Sequence, residues 1–312
     1  MQNIHKVMFV SHAIEDENDG LQQAVSLAHT SGAELRIVAV CPALPEDFED
    51  YSDAYGEGLT GRVESSLDAV RKEQGLSAED LPASIEVECG SAPANRVIRR
   101  VMEEDFDMVI KNVEGRSRRK GFKAMDMELL RKCPCPVWLC RPLHHGRDDI
   151  RVLVAVDPEC EEGHAYDLAI RLLRLSRALA DSWDGTLHIV SCWDYDVDAY
   201  LRHNFPLDLP DEEIDRIVEQ AGAKHRAKLD VLIRAAGIGG AMEIHHTIAN
   251  PARFIPLLVE EKEFDLLVMG TVARTGIPGF IMGNTAENIL QKLGCSLLAL
   301  KPASFESPVK AD

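Results

Sequence analysis

The chemistry-bearing residues of this chain gather in one segment, GTVARTGIPGFIMGNTAENIL, where Gly270, Gly276, Gly279 and Gly283 lead into Asn284 and Thr285. Glycines let backbone N–H groups approach a phosphate, and the start of a helix offers free amides and a positive dipole end. Asn284 followed by Glu287 resembles a capping box, so a helix is predicted to start there. An acid, Asp157, closes the apolar run RVLVAVD. An acid and a glycine on either side of a crevice suit an adenosine phosphate. Taken alone, the glycines and Asn284 also read as a turn and a helix cap. No G-K-[ST] appears, so this is not a Walker loop.

Other candidate groups point away from catalysis. Ser11 and His12 are adjacent, and neighbours on a strand face opposite ways, so they make no nucleophile–base pair. Neither G-x-S-x-G nor H-E-x-x-H occurs. His245 and His246 lie on a strand-like run, where a metal or catalytic role needs converging partners and a structural role is favoured. No catalytic residue and no metal ligand is assigned. The expectation is a non-enzymatic protein, with weak ATP hydrolysis left open.

Eight cysteines are scattered through the chain, and only Cys133 and Cys135, in KCPCPVW, are close together. A C-x-C pair needs further ligands to hold a metal, so free, buried thiols are expected, and with them a reducing, cytoplasmic compartment. The run GRSRRKGFK carries Arg116, Arg118, Arg119, Lys120 and Lys123. It could hold an anion, a phospholipid head or a nucleic acid; a solvated loop is the favoured reading. Two long acidic segments carry Phe48, Tyr51 and Tyr55, and Trp193, Tyr195, Tyr200 and Phe205. They could be lids over an apolar, lipid-like ligand, or could pack on the sheet or at the interdomain surface; packing is favoured.

The elements that must position these residues occur twice. IHKVMFVS, ELRIVAVC, SIEVECG, DMVIKNV and PVWLCRP alternate with predicted helices over 19–31, 59–73, 94–104 and 127–132. RVLVAVD, TLHIVSCWD, AMEIHHTIA, DLLVMGTV and CSLLALKP then alternate with helices over 163–181, 211–235, 252–263 and 284–293. Short runs apolar almost throughout are strands of a parallel sheet covered on both faces. In the 211–235 segment, Ile214, Ile217, Val218, Ala221, Leu229 and Leu232 form one stripe, Asp211 can cap it and Gly237 can end it. Pro93 precedes Asp107 by the same interval as Pro251 precedes Asp265. This is a duplication. The architecture expected is two tandem doubly wound five-stranded parallel sheets of order 3-2-1-4-5, spanning 1–146 and 147–303 with a tail over 304–312. Ligands of such sheets bind beyond the carboxyl ends of the strands, where strand order reverses.

The bulk numbers agree. The chain has 312 residues, 46% of them hydrophobic and 28% charged, enough for two cores. A formal charge of −18 excludes a general nucleic-acid binder. No run approaches the roughly 18 apolar residues of a membrane span, and the first residues lack the apolar core of a signal peptide.

The order of elements and the closing segment GTVARTGIPGFIMGNTAENILQKLGCSLLALKP resemble the universal stress protein family, in its two-domain form. Members that bind ATP carry G-x2-G-x9-G-[ST] after the fourth strand and an Asp after the first. The resemblance implies an ATP or related adenine-nucleotide site made by Asp157, Met269, Gly270, Arg274, Gly283, Asn284 and Thr285. Ala273 replaces the second glycine and Asn284 the expected Ser or Thr. The first half departs further, with Ser11 for the Asp, Asn112 for the first glycine and Gly115 alone near the second. The resemblance therefore makes it a degenerate partner in an internal pseudo-dimer, paired through 136–142 and 295–302. A further homodimer stays open, as does the alternative of an apolar-ligand or protein-interaction scaffold without nucleotide.

Overall fold

A computed structural model describes residues 4–13, 17–114, 120–146, 149–159, 162–193, 210–271 and 282–310. The first copy runs β1 (Lys6–Ser11), α1 (Asn18–Ser31), β2 (Glu34–Cys41), a 3-10 turn (Glu46–Tyr51) and α2 (Ser52–Glu73). It continues through β3 (Ala83–Cys89), α3 (Pro93–Glu103), β4 (Met108–Asn112), α4 (Ala124–Lys132) and β5 (Val137–Cys140). The second runs β6 (Arg151–Ala155), α5 (His164–Ser182), β7 (Thr186–Trp193), α6 (Asp211–Ala236) and β8 (Met242–Ile248). It ends with α7 (Pro251–Glu261), β9 (Leu266–Gly270), α8 (Asn284–Leu290) and β10 (Ser296–Leu300).

The ten strands form one sheet, in the order β3-β2-β1-β4-β5-β10-β9-β6-β7-β8. Each copy has the expected 3-2-1-4-5 order with parallel pairing inside it. The copies meet through β5 and β10, antiparallel, with Leu139 opposite Leu297 and Val137 opposite Ala299. Strands of this kind need apolar residues on both faces, because helices cover both. Accordingly β10 is buried at every position and β1 at all but Lys6. Trp138, 2% exposed, packs at the junction with its ring centroid 5.7 Å from that of Trp183. Burying each such side chain contributes about 1.5–3 kcal/mol.

Asp107 and Asp265 perform one task in both copies. Asp107 accepts the backbone N–H groups of His5 and Lys6 at 2.7 and 3.0 Å. Asp265 accepts those of His144, His145 and Arg151 at 2.7, 3.1 and 2.9 Å, which ties the connection between copies to the amino end of β6. In α6 the predicted stripe is buried at Ile214, Leu229 and Leu232, and Gly237 ends the helix at φ 65. Pro210, not Asp211, occupies the cap position.

Two expectations need correction. α2 begins at Ser52, so the segment around Phe48, Tyr51 and Tyr55 is a 3-10 turn and helix, not an open lid. Tyr55 packs on the core, but Phe48 and Tyr51 are 53% and 63% exposed and lie against each other instead of the sheet. Cys41 and Cys89 are not free thiols; they form a disulfide. The register of β2 on β3 puts them directly opposite at the carboxyl edge. The argument from free thiols to a reducing compartment loses its premise there. Cys133, Cys135, Cys140, Cys192 and Cys295 are free.

Candidate functional site

In the second copy β6 and β9 are adjacent and parallel, with Val152 opposite Leu266 and Val154 opposite Val268. Their carboxyl ends therefore leave the sheet side by side at the point where strand order reverses. Asp157 stands two residues past β6, its Oδ1 accepting the Glu159 N–H at 2.9 Å. Gly270 ends β9. Thr271 N–H donates to Leu300 O at 3.2 Å, and Gly283 N–H donates to Thr271 O at 3.1 Å. Those bonds bring Gly270, Thr271, Gly283, Asn284 and Thr285 together at one edge, one strand from Asp157. Met269 lies buried beneath them in β9. Arg274, with Ala273, Gly276 and Gly279, falls outside the described residues.

Helix α8 starts at Asn284 as predicted, but the capping box does not form. Gly283 is the cap in extended geometry (φ −63, ψ 138) and no side chain among the described residues closes the helix start. Glu287 instead pairs with Arg131 of α4, Oε1 to Nη2 at 2.5 Å. The first-turn amides of α8 are thus left as donors without a side-chain cap. Thr271 Oγ1, at the mouth of the turn, is buried with no hydrogen-bond partner.

The first copy answers the same geometry with its own side chains. β4 and β9 have equal length, and Leu129–Leu130 of α4 match Ile289–Leu290 of α8. Lys111 therefore corresponds to Met269, Asn112 to Gly270 and Asp126 to Ala286. Lys111 and Asp126 are both fully buried and paired, Nζ to Oδ1 at 3.0 Å. Asp126 Oδ2 also accepts the N–H groups of Glu114 and Lys123 at 3.4 and 3.3 Å. Lys111 Nζ donates to Asn112 O at 2.8 Å. A carboxylate of the chain itself thereby takes the cap amide of α4 and one amide past the end of β4, as an anion would. Glu114 sits alongside, 3.6 Å from both Lys111 Nζ and His12 Nε2. The adjacent His12 imidazole, and then the Lys111 charge, hold its carboxyl below the usual range against burial.

A second exchange accompanies the first. In the first copy α1 brings Gly20 against β4, where a Cβ would collide with the Asn112 side-chain oxygen. In the second copy the small residue is on the strand: a Cβ on Gly270 would meet Leu168 of α5 at 3.0 Å. The ladders contradict the expected match of Ser11 to Asp157: Val7 and Val152 hold equivalent places, so His12 stands where Asp157 does and Ser11 where Val156 does. Ser11 Oγ donates to Glu17, which also accepts the His12 N–H at 2.9 Å. Beside them is a cleft of about 440 Å³ lined by Ser11, Glu17, Leu21 and Arg62.

A model of the universal stress protein family matches residues 3–141 and again residues 151–301. The chain belongs to that family. Universal stress protein E of Escherichia coli K12 is 31% identical over 310 residues, covering 96% of this chain and 94% of the relative. Universal stress protein E of Photorhabdus laumondii is 27% identical over 321 residues, covering 100% and 99%. Among solved structures, a Pseudomonas aeruginosa protein of unknown function superposes with a TM-score of 0.71 at 22% identity over 97% of this chain and 94% of that one. A universal stress protein from Archaeoglobus fulgidus gives 0.60 at 17% over 96% and 97%. Both share the tandem fold.

Other groups singled out in the sequence of this universal stress protein resolve as follows. His246 Nε2 lies 2.9 Å from His225 Nδ1 and its ring stacks near Trp193, a structural cluster. Burial lowers the pKa of both imidazoles. Tyr195, Tyr200 and Phe205 lie outside the described residues, as do Arg116, Arg118 and Arg119. Lys120 pairs with Glu260 of the other copy at 2.8 Å, which ties down one cation of the basic run. Cys133 and Cys135 sit with their sulfurs 3.6 Å apart. No third His, Cys, Asp or Glu joins them as a metal ligand among the described residues. Lys301 donates from Nζ to Cys133 O at 2.6 Å, and burial pulls its pKa down to about 8. No helix among the described residues is long and apolar enough to cross a membrane.

Sequence reasoning missed the Lys111–Asp126 pair. A signal was present: Lys111 interrupts an apolar strand whose second-copy counterpart, Met269, does not.

Proposed function

We propose that this universal stress protein is a non-enzymatic, cytoplasmic stress-response binding protein whose second copy takes ATP or a related adenine nucleotide. Asp157 would face the adenosine and the turn from Gly270 to Thr285 the phosphates, with Arg274 supplying positive charge. The first copy, residues 1–146 in this reading, serves as the fixed partner of the second, residues 147–303.

The observation that supports this reading is the exchange of Lys111 and Asp126 for Met269 and Ala286. The first copy carries its own anion at the helix start. In the second, no side chain among the described residues caps the helix, since Glu287 of its first turn is drawn to Arg131, and the amides are left for an external anion. The family motif is retained at Gly270 and Gly283, on the same copy as Asp157.

The test is to move the ion pair. Nucleotide at a hundredfold excess over its dissociation constant stabilises a binding protein by about 2.7 kcal/mol, readable as a rise in melting temperature. Wild type and Asp157→Ala should differ in this rise, and Met269→Lys with Ala286→Asp should abolish it while keeping the fold, since the first copy folds around that pair. No ATP-induced rise in the wild type, or a rise the double variant leaves intact, would sink the proposal.

A further inference from the structure

At the opposite, amino edge of the second copy's sheet lies a cluster that the nucleotide reading does not use. His188 on β7 stands in register with Glu243 on β8, and Val190 with His245. Paired residues of a parallel ladder project to one face, as do residues two apart on one strand, so His188, Glu243 and His245 share a face. His188 Nδ1 is 3.1 Å from His245 Nε2. Glu243 turns Oε2 toward His188 at 3.4 Å and Oε1 toward His245 at 3.6 Å. A tetrahedral ion with bonds of about 2.0–2.1 Å sets its ligand atoms about 3.3–3.4 Å apart. With one ligand atom taken from each residue, the three lie within 4.8 Å of one another. The carboxylate turns a different oxygen to each imidazole, so a small rotation of Glu243 brings one oxygen to that edge.

The surroundings fit ligands. Phe264 stands edge-on to both imidazoles, centroids 4.8 and 6.2 Å away, and fixes their planes. The two histidine side chains are 13% and 12% exposed, whereas Glu243 is 55% exposed, so the open side of the cluster faces solvent. The nearest cations are Arg151 and Lys262. Arg151 is occupied by Lys262 O at 3.0 Å and Asp149 at 3.9 Å.

The first copy shows what this place holds when no ion is needed. By the shared register, Arg36 corresponds to His188, Ser84 to Glu243 and Glu86 to His245, with Phe106 standing for Phe264. There Arg36 pairs with Glu34, Glu86 and Glu104 and lies 5.6 Å over the Phe106 ring. That cluster supplies its own positive charge. Its counterpart offers two nitrogen lone pairs and a carboxylate, the mixed imidazole–carboxylate set that suits zinc-class divalent ions.

We propose that His188, Glu243 and His245 bind one divalent transition-metal ion of the zinc class, with a fourth position open to water. The ion would stitch the edge strand β8 to β7. This site is independent of the nucleotide site and stands or falls separately.

Cobalt(II) added to the chelator-stripped full chain is the direct probe. One equivalent should bind with visible d–d bands and no thiolate charge-transfer band, be displaced by zinc, and bind unchanged in Cys133→Ser with Cys135→Ser. Zinc should raise the melting temperature. Glu243→Gln should weaken binding about tenfold or more. His188→Arg with His245→Glu, which copies the first half, should abolish it while leaving the metal-free melting temperature unchanged. Absence of stoichiometric binding, a thiolate band, or affinity unaltered in Glu243→Gln overturns the proposal; the Glu243→Gln result decides the matter even if the double variant does not fold.

Discussion

The switch-point edges of the two copies are built from the same backbone and differ in who supplies the charge. Around α4, Asp126 fills the amide cradle and Lys111 neutralises it, both inside the protein. Around α8, Met269 and Ala286 leave that cradle to the backbone alone. The glycine that permits close packing has moved too, from helix α1 at Gly20 to strand β9 at Gly270. A duplicated unit can therefore lose an external ligand without losing shape, provided it internalises a group of the same charge and geometry.

The severest way to break that contrast is to remove half of the buried pair. Asp126→Ala leaves Lys111 without its buried partner and should destabilise the first copy by about 3–5 kcal/mol in urea unfolding. Adding Lys111→Met, which reproduces the second copy, should recover much of the loss. Equal cost in single and double variants would mean the pair is not the organising feature.

A pH experiment sharpens the contrast at the junction, where Arg141 and Lys301 occupy equivalent places after β5 and β10. Burial lowers Lys301 to about 8 in the folded chain from a reference value of 10.5. Between those values the unfolded chain holds a proton that the folded one has released, so this lysine makes stability rise with pH, by roughly 3 kcal/mol across the window. Below about pH 8 it contributes no slope. Stability of wild type minus that of Lys301→Met, followed by urea unfolding, should show the rise; Lys301→Arg minus Lys301→Met should not.

The smallest effect concerns the exchanged glycines. Gly20→Ala should cost about 1–3 kcal/mol by overpacking against Asn112. Adding Asn112→Gly should recover part of it, and a thermal-melt double-mutant cycle without coupling would show that the two residues do not constrain each other.

The repeat was legible because parallel strands buried on both faces leave unbroken apolar runs, and because Pro93 and Asp107 have their partners in Pro251 and Asp265. Right-handed crossovers then leave few strand orders. What escaped the sequence depends on register. Cys41 and Cys89 are 48 residues apart, and only the β2–β3 ladder brings them opposite. His188 shares its strand with Thr186 and Ser191, and its partners lie more than fifty residues on, so nothing local marks it. The start of α2 was placed too late because SDAYGEG carries two glycines and little apolar periodicity, and tertiary packing of Leu59, Val63 and Leu67 overrides that weakness. At α8 the Asn284–Glu287 spacing promised a local cap, but Arg131 from the other copy drew Glu287 away.

The antiparallel seam between β5 and β10 has a consequence for dissection of the chain. Cut out alone, either half would present a bare row of peptide groups along an apolar strand, Val137–Cys140 or Ser296–Leu300, and such a rim invites like to add to like. Covalent tethering holds the proper mate at millimolar effective concentration and so outcompetes strangers. Severing the backbone near His144 and His145 should accordingly yield one two-piece particle rather than two free domains, held by the seam that makes ten strands a single surface.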